Sequence, residues 1–90
     1  MSVLGADIAA LRGLVNSLTT RVRMIEKTKS EMTTLVSGLP WVGPDREQFM
    51  RDWNEIHQVN LIRLMDDMTI ASNQALHAAN AQEEASRAGS

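Results

Sequence analysis

Leu4, Leu11, Leu18, Ile25 and Met32 recur every seven residues, and Ile8, Val15, Val22, Lys29 and Val36 follow each of them by four. This alternation of threes and fours lays one narrow apolar stripe along an α-helix, of the width that coiled coils and bundles use. Only Lys29 interrupts it, and a lysine can lie along such a seam with its ammonium at the rim. The pattern predicts a helix over about 4–37, roughly 50 Å long at about 1.5 Å per residue. Ser2 is the expected N-cap and Gly38 the expected left-handed C-cap. Pro40 forbids continuation.

Residues 38–53 are the one break in the pattern, holding both prolines, both tryptophans, the single phenylalanine and two of the five glycines. Pro44 suits the first turn of a second helix, with Gly43 as a permissive cap and Asp45 and Glu47 at the positive helix end. Beyond it, Met50, His57, Leu61, Leu64, Met68, Ala71, Ala75 and Ala79 fall near one line at about 100° per residue. Phe49, Trp53, Ile56 and Met65 broaden that line to nearly half the circumference. One partner helix cannot cover so wide an arc. The second arm, 44–86, is therefore expected to pack on the first and on another chain, as a four-helix bundle.

Antiparallel pairing from a corner near residue 41 sets Val36 against Arg46, Met32 against Met50, Lys29 against Trp53 and Ile25 against His57, with Leu4 near Ala78. Lys29 is then placed for a cation–π contact with Trp53. The small, polar stretch 79–90 overhangs the first helix and is expected to fray. The expected seam thus comprises Leu11, Leu18, Ile25, Met32, Trp53, His57, Leu61, Leu64 and Met68. Trp41, Phe49 and Trp53 are expected to close an aromatic cluster at the corner. Val59, Ile62 and Ile70 fall on the opposite side, as scattered surface hydrophobes or as a small partner-docking patch.

Trp41-Val42-Gly43, followed by Phe49 and Trp53, resembles the WXG family of type VII secretion substrates. These are small helical hairpins typified by the early secreted antigenic target and its culture-filtrate partner. The run Pro40 to Asp45, with Phe49, Trp53, His57 and the later Asn80-Ala-Gln-Glu-Glu-Ala-Ser86, is similar to an actinobacterial subgroup. The resemblance implies a dimer, with an identical or a different WXG-like chain, and contact with the secretion machinery and a larger exported effector. It also implies a Tyr-x-x-x-Asp/Glu export signal after the second helix. This chain has no tyrosine, and Asn80 with Glu84 matches only the acidic half. Either a partner supplies the signal, or another is used.

Composition narrows the chemistry. Ninety residues make one small domain with barely enough core to stand alone, and no cysteine is present to reinforce it. A formal charge of −2 and a pI near 5.6, with no basic stripe, argue against nucleic-acid binding. No run approaches the length of a membrane span, and the start has no cationic leader, so a soluble protein exported by a leaderless route is expected. His57 and His77 diverge on a helix and cannot share a metal. His57, beside Asn60, reads as a hydrogen-bonded core histidine or as an interface pH switch. Asp66 and Asp67 face different ways and imply no acid–base pair. No cofactor or catalytic residue is expected. The functional expectation is a dimeric binding module secreted through a type VII system, cytoplasmic before export; a non-exported helical adaptor or chaperone is the alternative.

Overall fold

The computed structural model describes Val3 to Gly89, with side chains from Asp7 onward. Helix α1 (Val3–Gly38) is followed by an extended link and a second arm of α2 (Pro44–Asp52), a π turn (Trp53–His57) and α3 (Gln58–Ala88). The two arms fold back on one another as an all-helical antiparallel hairpin, a rod of 69 × 18 × 13 Å. Ser2, the expected cap, and the side chain of Leu4 lie outside the described residues.

The corner is built differently from expectation. Gly38 ends α1 without a left-handed turn; Gly43 is the glycine with positive φ, at 123°, with ψ −178°. That combination is essentially closed to residues carrying a Cβ. From there Pro44 opens α2, the Gly43 carbonyl accepts from Glu47 N–H at 3.2 Å, and Asp45 and Glu47 occupy the first turn. A Cβ at Gly43 would meet nothing within 4 Å, so backbone conformation rather than space demands glycine. Gly43→Ala is therefore expected to destabilise the hairpin by about 1–3 kcal/mol in urea unfolding. An unchanged midpoint would remove the conformational argument.

Along α1 the predicted stripe is the packed one. Ile8, Leu11, Val15, Leu18, Val22, Ile25 and Lys29 are half-buried and Val36 is buried. Met32 has slipped to the edge, 39% exposed, and Thr33 takes its place. Lys29 lies in the seam as expected, with its ammonium 3.6 Å from Glu26. Trp53 pairs with Thr33 instead, its Nε1–H donating to Thr33 Oγ1 at 2.9 Å. Thr33 in turn donates to the Lys29 carbonyl at 2.9 Å. The pairing is thus displaced by one helical turn. Beyond Thr33, α1 runs only five residues, whereas α2 begins nine before Trp53. The second arm overshoots at the corner by about 6 Å, and the extended link Leu39 to Gly43 spans the gap.

Within the second arm the π turn changes the phase. The N–H of Gln58 bonds to the carbonyl of Trp53, five residues back instead of four, which inserts one residue into the helical cycle. Upstream, Trp53 is buried against α1. Downstream, the inward positions are Met65, Ser72, Ala75 and Ala79, with Leu61 and Met68 half-buried beside them. A continuous α-helix would have turned His57, Leu64 and Ala71 inward. His57 is instead exposed, its ring 6.4 Å from that of Trp53, and Leu64 is 47% exposed. Neither belongs to the intrachain seam, and His57 is not a core histidine.

The stretch expected to fray is helix through Ala88, and Ala79 is fully buried. Arg12 holds it, its Nη2 donating to a Glu83 carboxylate oxygen and, at 3.3 Å, to Asn80 Oδ1. Arg87 adds a bond to the other Glu83 oxygen at 2.6 Å. The hydrogen bond and charge of Arg12, joined by the charge of Arg87, hold the Glu83 carboxyl below its ordinary value of 4.5. A lowered carboxylate pKa stabilises above the unfolded value and loses that contribution as pH falls through the lower folded one. Amide protection over 80–88 is therefore expected to drop selectively in acid below about pH 4.5. Hydrogen exchange that leaves these amides no weaker than mid-arm ones would contradict the tether.

Candidate interaction surface

The two long faces of the hairpin differ in chemistry. On one, a groove is lined by Thr19, Val22 and Arg23 from α1 and Thr69, Ser72 and Asn73 from α3. On the other, Arg21, Met24, Ile25 and Thr28 face Leu61 and Met68. Helical spacing extends this second, apolar face. Leu14 lies seven before Arg21, and Met32 and Leu35 lie four and seven after Thr28. Leu64 sits between Leu61 and Met68. The exposures are substantial: 48% for Leu14, 58% for Met24, 62% for Leu35 and 47% for Leu64. Arg21 places a cation in the middle of the strip.

Toward the open end the same face narrows to small side chains. Ala10 and Ser17 on α1, and Ala71 and Ala78 on α3, continue the flanks that carry Met24 and Leu64 nearer the corner. Large residues thus occupy one half of the face and small ones the other.

At the corner the expected aromatic cluster divides in two. Trp41 and Phe49 form a tilted pair, ring centroids 5.7 Å apart, and Trp53 stands apart from them with Thr33 and His57. Leu39, Pro40, Trp41, Val42 and Gly43, with Arg46 and Glu47, enclose a shallow depression at the tip. Val42 is 91% exposed there. The Trp-x-Gly turn therefore has two roles: Gly43 makes the bend and caps α2, and Trp41 packs its ring against Phe49 of that helix.

Of the remaining positions, Ile62 and Ile70 are exposed and Val59 is half-covered, so the suggested patch is two residues wide. Asn80 and Glu84 sit within α3, not after it; Asn80 accepts from Arg12, and Glu84 lies 3.9 Å from Arg87. Among the described residues, no group of three His, Cys, Asp or Glu side chains could hold a metal ion. No helix there is long and apolar enough to cross a membrane. Sequence reasoning missed Thr33, Met65 as a seam residue, Ser72, and the Arg12–Glu83 pair. Only the last had a signal, opposite charges at the open ends of the two arms.

No family model, curated protein or solved structure matches this chain.

Proposed function

We propose that this chain is a binding module of a type VII secretion system, a substrate or co-substrate that associates through its apolar face with a second copy of itself. Surface area carries the association. A compact protein of 10.0 kDa exposes about 5,200 Å², whereas this chain exposes 6515 Å². The surplus of about 1,300 Å² exceeds the roughly 800 Å² per partner that a standard interface covers. Inside the hairpin, no large side chain is fully buried among the described residues. The exposed apolar strip supplies what such an interface needs. Two copies laid antiparallel bring the large residues of each, Met24 and Leu64, over the small residues of the other, Ser17 and Ala78, as an isologous contact requires.

The secretion assignment rests on the resemblance at the corner. Its support is that Trp41, Gly43 and Phe49 form one turn, with Gly43 in a conformation its neighbours could not adopt. Before export the dimer resides in the cytoplasm, and it then reaches the envelope or medium, alone or with a larger effector. A missing tyrosine in the tail favours one other reading, a non-exported adaptor that holds an effector in the cytoplasm. Fractionation of the native host with and without its type VII ATPase separates the two. ATPase-dependent protein in the medium is the expected result; protein retained inside both strains would refute export.

A further inference from the structure

Downstream of Trp53 the second arm carries two apolar series one residue apart. Leu64, Ala71 and Ala78 form one, and Met65, Ser72 and Ala79 the other. A helix continuing from Trp53 in α phase would turn the first series onto α1. The π turn adds one residue and so rotates that series away by about 100°, bringing in the second.

The seam that is buried is the more apolar of the two: Met65, Ser72 and Ala79 come with Leu61, Met68 and Ala75, whereas Leu64, Ala71 and Ala78 would bring Asn60, Asp67 and Gln74 inward. Ser72 is the polar member of the buried series, and Gln82, three residues beyond Ala79 and part-buried, has a buried Oε1 without a hydrogen-bond partner among the described residues. Leu64 meanwhile stays 47% exposed. The phase that suits the hairpin's own seam therefore leaves Leu64 outside it, on the face open to another chain. Both ends of the arrangement are pinned. Trp53 is bonded to Thr33 on one side of the turn, and Asn80 and Glu83 are bonded to Arg12 on the other. The surplus residue between the pins has to be absorbed, and the π turn is where it goes.

We infer that the π turn is a phase shift that divides the second arm between two helices, giving Met65, Ser72 and Ala79 to the chain's own α1 and Leu64, Ala71 and Ala78 to the second copy. The second half of that statement rests on the association proposed above; the phase shift stands without it. The turn thereby makes the outward apolar strip from residues that an uninterrupted helix would have consumed within the hairpin.

The chain has no cysteine, so L64C and M65C each introduce a single reporting thiol. In dilute protein, maleimide is expected to label position 64 about tenfold faster than position 65. Deleting Glu55, an exposed residue of the π turn, removes the surplus residue, so Gln58 becomes the fourth residue after Trp53 and the α-helix that results should keep both that order and the self-association. Equal or inverted rates in the undeleted chain would overturn the inference, as would an inverted order in a folded deletion variant, because a deletion inverts the order only where no surplus residue was present. If the deletion prevents folding, a second pair decides: Leu64→Ala should weaken association and spare the unfolding midpoint of the dilute monomer, and Met65→Ala should lower that midpoint. The opposite pattern would overturn the phase assignment. An undeleted chain that shows the expected thiol order but stays monomeric would refute the second-copy partner and leave the phase shift intact.

Discussion

Trp53→Ala is expected to destabilise the hairpin by about 3–5 kcal/mol in chemical denaturation. Trp53 is the largest of the buried side chains, 8% exposed; the other buried hydrophobics among the described residues are Val36, Met65, Ala75 and Ala79. It also anchors the second arm through Thr33, so its removal deletes both apolar contact and the bond that sets the phase upstream of the π turn. Thr33→Val separates the two contributions. It leaves the ring in place but orphans the indole N–H, and about 1–3 kcal/mol is expected. A loss below about 1 kcal/mol for Trp53→Ala would remove Trp53 from the core.

Leu64→Glu is expected to act on association and hardly at all on the hairpin. The side chain is half-exposed beside the groove of Met24, Ile25, Leu61 and Met68. A carboxylate there keeps its water in the monomer. In a symmetric dimer it would lose that water in both copies, and Arg21, which lines the groove, would offset only part of the cost, which places it among substitutions that cost about 2 kcal/mol or more per copy. The dissociation constant should rise roughly thousandfold, two copies at about 2 kcal/mol each, with circular dichroism unchanged. Ile70→Glu, on the far side of α3, serves as the control: Ile70 is 56% exposed, and the substitution should leave association alone. Equal effects of the two substitutions would mean that the apolar strip is not the contact.

Much of this architecture is legible in the residues because helical periodicity is a local property. The heptads of α1 predicted its packed stripe, and the prolines and glycines predicted the corner. The width of the apolar arc on the second arm predicted more hydrophobic surface than one helix can cover, and Leu64 and Ile56 remain exposed. What could not be read was phase. Leu64 and Met65 are equally good seam residues, and no local signal around Asn54 or Glu55 marks a π turn. The choice depends on where Trp53 finds a hydrogen-bond acceptor and where Arg12 finds Glu83, both long-range events. His57 was misplaced for that reason: in α phase it faces α1, and one residue of slip puts it in solvent. Gly38 was expected to take the left-handed turn and Gly43 only to cap the second helix; the overshoot of α2 places the positive-φ bend at Gly43 instead.

Sedimentation equilibrium between about 1 and 200 µM, a range chosen to bracket micromolar association, tests the hairpin as half of a bundle most directly, because it reports mass independently of the rod-like shape. Two copies of a 10.0 kDa chain should give a species of about 20 kDa, the mass of a two-fold dimer, which L64E returns to the monomer. A monomer throughout that range would contradict association through the apolar face.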